Sequence, residues 1–416
     1  MTAFTMSSPH STTSTARPVA ATRERDIRLD FFRGIAMFII LVAHIPSDWL
    51  ALWIPARFGF SDATEMFVFC SGMASAIAFG AVYRNQGWLT GTARVAFRIW
   101  QVYWAHIALF FSVAGLTAVL VASGWFEVDH VRRLNLYLFF NDPLVHLPAL
   151  LTLTYVPNFF DILPMYIVVL AMMPVVMALA RQNVNLPVFF VVTVWLLAYF
   201  DYLALPAEPL SNRPWFFNPF GWQLVFFTGF AFSMGWLPAP PVDRRLVWAA
   251  VAVVVLSVPF SSFRLYDELF RIDILQPALK SVRPTLSAWL DGYKHLFNKT
   301  DFGLLRYVHF LALAYLAYVA VGPKGARLSR APASPLLADA WGAIRSVIVK
   351  VGQQSLAVFV FSMFLAQVLG AVLDAVGRSA ASAIWVNIAG FVLIATAAYV
   401  AAWFKAKPWS VKKAQS

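Results

Sequence analysis

Ten apolar runs, 17 to 26 residues long, recur through this chain at about 31–50, 62–83, 97–122, 162–180, 187–205, 222–238, 246–262, 303–321, 351–373 and 384–404. An α-helix needs about 17–25 apolar residues to cross the hydrocarbon core of a bilayer. In hydrocarbon every backbone N–H and C=O must be bonded within the protein. The expected fold is therefore all-α and polytopic, with about ten transmembrane helices. Composition rules out reading the runs as cores of soluble domains. Of the 416 residues, 60% are apolar and 12% charged, against about 45–50% and about 25% in soluble proteins.

An even number of spans places both termini on one side. The segments on that side carry 19 Lys and Arg against five Asp and Glu, a net of +14, and the opposite side is −3. Excess Lys and Arg mark the cytoplasmic face, so both termini are expected there. The formal charge of +12 is then explained by orientation in the membrane and contact with anionic lipid; it is not read as a nucleic-acid footprint. The single cysteine, Cys70, excludes an intrachain disulfide and a Cys-cluster metal site. No metal site and no tightly bound cofactor is expected.

Residues 1–26, rich in Ser, Thr and Ala, read as a disordered cytoplasmic tail. A cleavable signal peptide is not expected, because no apolar region precedes residue 31. Residues 27–405 form the membrane domain, and 406–416 a basic cytoplasmic tail. Two outward segments, 123–161 and 263–302, are long enough to be functional. In the first, Pro143, Pro148 and Pro157, with Pro164 just beyond, break any long helix.

The first run, RLDFFRGIAMFIILVAHI, carries Arg33 and His44. Eleven residues turn a helix through about 1100°, close to whole turns, so the two share one face, about 16 Å apart along the axis. Ionisable groups inside a membrane suggest function. Bland readings stand beside that one: Arg33 snorkelling to the interface, and a neutral His44 bonded to a backbone carbonyl.

An arginine followed after ten residues by a histidine, within LDFFRGIAM, resembles the signature of the acyltransferase-3 superfamily, and FVFCSG at 67–72 resembles its second-helix element. Longer stretches are similar to the OpgC family, osmoregulated periplasmic glucan succinyltransferases. They are RFGFSDATEMFVFCSG (57–72), RIWQVYWAH (98–106), DILPMYI (161–167), FNPFGWQLVFFTG (217–229), RYVHFLALAY (306–315) and GQQSLAVFVFS (352–362). The resemblance implies a multispan enzyme of the bacterial inner membrane. Such an enzyme passes an acyl group, succinyl by this family, from cytoplasmic acyl-CoA to hydroxyls of a periplasmic glucan. Acetyl transfer would need the same base and tunnel.

Under that reading His44 is the general base, since an imidazole titrates near neutrality. Arg33 corresponds to the family arginine and is expected to contact the donor through its fork of N–H groups. Glu65, or second Asp62, is the expected partner of His44; both equally suit a helix N-terminus. Arg98, His106 and Ser71 are grouped with Arg33 on the donor side. Positive-inside bias explains Arg98 without function, and Ser71 can bond within its own helix. Arg306 and His309 are candidates to hold the acceptor or an acyl carboxylate, with an interfacial anchor as the alternative for Arg306. Trp215, Phe216 and Phe217, beside Asn212 and Asn218, suit sugar stacking or an interfacial aromatic belt. A transporter or flippase for a glycan or acylated metabolite is the second functional reading, and a non-catalytic partner in an envelope complex the third. Oligomeric state is left open.

Overall fold

The computed structural model describes residues 26–261, 272, 274 and 276–410. The expected tail at 1–26, apart from Asp26, lies outside the described residues, as do 411–416 of the basic tail and 263–271, 273 and 275 of the second outward segment. The described chain is helical, and among the described residues there is no β-strand; a lone bridge joins Pro206 and Pro214.

We label the long helices α1 Ile27–His44, α2 Ala63–Gln86, α3 Trp88–Ala122, α4 Ile162–Gln182, α5 Asn185–Tyr199 and α6 Pro219–Met234. They continue with α7 Arg244–Ser261, α8 Gln276–Gly292, α9 Leu304–Val321, α10 Pro335–Gln353, α11 Ser355–Val376 and α12 Ala380–Ala406. Each of the ten apolar runs overlaps one of these helices. Seven (α2, α3, α4, α7, α9, α11 and α12) are long and apolar enough to cross a membrane. The other three fall short for visible reasons. α1 has 18 residues but includes Arg28, Asp30 and Arg33; α5 has 15 residues and α6 has 16. Segment 123–161 holds three short helices, His130–Arg133, Tyr137–Asn141 and Pro143–Leu151, the last with Pro148 inside it.

The first run ends sooner than its apolarity predicts. Ile45 precedes Pro46, whose ring disfavours the helical region for the residue before it, and Ile45 is extended (φ −68°, ψ 115°). His44 is therefore the last residue of α1, rather than about six residues short of its end. α6 is closed by Gly235 in the left-handed region (φ 77°).

α1 packs against α2, α10 and α11, and α2 against α6. Two seams bring backbones together through missing side chains. A Cβ on Gly72 would lie 1.9 Å from the Phe226 carbonyl oxygen, and one on Gly229 would lie 2.2 Å from that of Phe69. Between α1 and α10, Gly34 and Gly352 play the same part against Ile348 and Asp30. Small residues serve this purpose where lipid supplies no hydrophobic drive between helices. The outer helix surfaces expose Ile77, Phe97, Val119, Phe189, Val255 and Trp385, a covering that suits lipid rather than water.

Candidate functional site

Arg33 stands nearly two turns inside α1, and His44 ends it. At the Arg33 end, Arg33 Nη2 donates to Ser355 Oγ at the start of α11. Asp30, Cys70, Tyr166 and Arg98 interact with it electrostatically, and its Nε is buried without a hydrogen-bond partner. Arg33 and Arg98 thus act on each other as like charges from α1 and α3, with Asp30 as the carboxylate in reach. A snorkelling arginine would instead reach past the protein to headgroups.

At the other end, His44 Nδ1 lies 2.7 Å from the Ile40 carbonyl oxygen. A carbonyl only accepts, so Nδ1 carries the proton and Nε2 has the lone pair. The expected orienting partner is corrected by this contact. Glu65 does not hold His44, because its Oε1 accepts from Arg306 Nε at 2.7 Å and Nη2 at 2.5 Å. Its Oε2 accepts from the Asp62 N–H at 2.8 Å. The reason is local: Asp62 and Glu65 form a capping box on α2, which turns Glu65 back along its own helix and toward α9. The backbone of α1 itself sets the His44 tautomer. The ring meets Phe159 edge-on, with centroids 5.5 Å apart.

Asp62 and Lys299 are the charged groups that interact electrostatically with His44. They also pair with each other, Lys299 Nζ donating to Asp62 Oδ2 at 2.6 Å, and Arg306 Nη2 stands 3.6 Å from the same oxygen. One turn along α9, His309 Nδ1 lies 2.7 Å from Ser61 Oγ and accepts from the Ser61 N–H at 3.3 Å. Asp62, Glu65, Arg306 and His309 therefore do meet, as one network around the N-terminus of α2, with Ser61 and Lys299 added. No spacing in the sequence singles out Lys299, which is brought in by the fold from the loop before α9.

Of the remaining candidates, His106, Ser71 and Trp215 stand apart, while Arg98 reaches Arg33 electrostatically. Arg98 donates to Gln101 at 3.2 Å. His106, two turns further along α3, is fully buried with neither ring nitrogen bonded, and joins no charged group. Ser71 bonds back to the Phe67 carbonyl at 2.7 Å. Trp215 is buried in a small cluster with Val156 and Ala207 and donates to the Pro206 carbonyl at 3.0 Å. It therefore offers no face to a sugar or to the bilayer interface. Asn218 caps α6 through the Phe220 N–H. Phe216 stays exposed, and Phe216 and Phe217 place their rings 5.8 Å and 5.4 Å from Lys299 Nζ. Asp161, just before α4, accepts from the Phe216 N–H at 3.3 Å, and burial pushes its carboxyl up to about 7. A cavity of about 470 Å³ between α3 and α11, lined by Ala105, Leu109, Ser112, Leu356, Val360 and Phe364, contains neither Arg33 nor His44. No group of His, Cys, Asp and Glu arranged to hold a metal occurs among the described residues.

Long apolar helices that enclose bonded ionisable side chains define a membrane protein with its polar site between helices. Residues 25–406, nearly the whole chain, match the OpgC protein family, and the chain belongs to that family. It is accordingly a glucan-modifying acyltransferase. No curated protein and no solved structure matches it.

Proposed function

We propose that the protein transfers a succinyl group from cytoplasmic acyl-CoA to hydroxyls of a periplasmic glucan across the bacterial inner membrane, with His44 as general base. The reading has ten spans, with α1, α5 and α6 completing the membrane domain, and both termini in the cytoplasm. The observation that carries it is membership of the OpgC family over residues 25–406; the carbonyl-bonded His44, which a purely structural histidine would also show, fits the role of base. The bond to Ile40 holds the proton on Nδ1, so Nε2 is free to take the proton of an attacking hydroxyl. Family membership supplies the reaction class.

The Arg33 end is the donor side. Two guanidiniums against one carboxylate leave a surplus positive charge there, suited to the phosphates or carbonyl oxygens of a CoA donor. The axial gap of about 16 Å between Arg33 and His44 is comparable to a pantetheine arm, so the nucleotide stays in the cytoplasm while the thioester reaches His44. A channel joining the two residues is part of this proposal. Arg306 is committed to Glu65 and holds the site together rather than gripping an acyl carboxylate. The acyltransferase-3 relationship fits the Arg33–His44 register.

The test supplies purified protein with labelled succinyl-CoA and a β-glucan. Wild type should label the glucan, and His44→Ala should reduce kcat at least about a thousandfold, in line with loss of a catalytic base. Wild-type transfer by His44→Ala would overturn the base assignment. Movement of glucan across vesicles without acylation would favour a transporter.

A further inference from the structure

We propose that Lys299 is a further catalytic residue, its ammonium hydrogen-bonding the thioester carbonyl oxygen as negative charge develops on it. The inference rests on His44 being the base and deepens that reading.

The loop that carries Lys299 is fixed at every step. The Lys299 carbonyl accepts from Trp222 Nε1 at 2.8 Å, the Thr300 carbonyl from the Asn218 N–H at 3.0 Å, and the Phe302 carbonyl from Trp195 Nε1 at 2.9 Å. Asp301 accepts from both Asn218 and Asn298 at 3.0 Å. A Cβ on Gly221 would lie 2.4 Å from the Asp301 carbonyl oxygen, so α6 presses directly on this loop. The result is a cation on a loop anchored by these contacts, held against Phe216 and Phe217 with its side chain 28% exposed. An ammonium has three N–H groups. One goes to Asp62, and the others are open to a ligand.

Charge decides what that ligand does. Asp62 and Glu65 balance Lys299 and Arg306, so the network is neutral and has no surplus charge for a permanent carboxylate. Acyl transfer needs none. The acceptor oxygen attacks the thioester carbon, its proton passes to His44 Nε2, and the carbonyl electron pair moves onto oxygen. Collapse then expels the CoA thiolate, which takes the proton back from His44, leaving an ester and free CoA thiol. The transient state adds one positive charge, on His44, and one negative charge, on the oxyanion. Asp62 and Lys299 both interact electrostatically with His44, and the pair offers one partner to each charge: the carboxylate to the imidazolium, the ammonium to the oxyanion. Fixed dipoles and charges of this kind need no reorganisation as the reaction proceeds.

The experiment compares wild type, Lys299→Met, Lys299→Gln and His44→Ala, purified, with succinyl-CoA and an uncharged acyl-CoA as donors. Lys299→Met should lose about a hundredfold to a thousandfold in kcat with KM for the succinyl donor changed less than about threefold. An increase in KM confined to the succinyl donor would make Lys299 a carboxylate clamp and overturn the proposal, as would unchanged kcat. Should Lys299→Met fail to fold, Lys299→Gln, which removes the charge and keeps a polar side chain, decides, provided it melts with wild type. A drop in kcat of about tenfold or more at constant KM supports the proposal, and wild-type kcat overturns it. Activity in His44→Ala removes the base; loss there with full activity in Lys299→Met removes only the oxyanion assignment.

Discussion

The two ends of α1 are built on opposite plans. Around Arg33 there are two guanidiniums, one interacting carboxylate, and an arginine nitrogen without a partner. Around His44 and the start of α2, four charges cancel and both carboxylates are bonded to cations, while His309 Nε2 is left without a partner. A cation-rich, incompletely bonded end suits a mobile, multiply charged ligand that must arrive and leave. A neutral, largely bonded end suits a reaction whose charges appear only in passing. Tight bonding and binding capacity are thus separated along one helix.

The largest test of this contrast is Glu65→Ala. It leaves Arg306 buried beside Asp62 alone, and breaking such a pair costs about 3–5 kcal/mol; a steep drop in melting temperature or in folded yield is expected. The double variant Glu65→Ala with Arg306→Met should recover much of the loss. A single variant as stable as wild type would show that the His44 end is not the rigid one. Arg33→Ala should behave in the opposite sense. Stability should change little, while KM for acyl-CoA rises about tenfold to a hundredfold, the worth of one charged hydrogen bond. A melting shift as large as that of Glu65→Ala, with KM unchanged, would erase the distinction.

Smaller is Asp161→Asn, which keeps an acceptor for the Phe216 N–H. The Asp161 carboxyl sits near 7 in the folded protein, above about 3.9 unfolded. The folded state therefore binds its proton more tightly, and stability is lost as pH rises from about 4 through 7. The variant should melt about 2–5 °C higher than wild type at pH 8 and near wild type at pH 4. An equal gain at both values would rule out ionisation as the cause. Smallest is Ser71→Ala: with its hydroxyl turned to its own helix, rates should stay within about twofold and stability within about 0.5 kcal/mol.

Helix positions were legible because apolar runs of spanning length leave few alternatives, and the Arg33–His44 face followed from helical period alone. The true end of α1 was also written in the chain, in Pro46, but apolarity continuing past it concealed the stop. Partners were harder. Asp62 and Glu65 were readable as the start of the next helix after His44, yet that order does not say which way a side chain turns, and the capping box sent Glu65 to Arg306. Lys299 is 255 residues from His44 in sequence and belongs to no periodic pattern. Only the folding of its loop against α6 brings it to the site.

The paired glycines carry a consequence for how material can cross this protein. Where Gly72 meets Phe226 and Gly229 meets Phe69, main chains interlock from both directions, leaving no side-chain cushion on which α2 could slide past α6. A pump that rocks one half of its fold against the other would have to shear that join on every cycle. A relay needs no such movement: under the proposed reaction the scaffold can stand still while a single chemical group is handed from one bank to the other.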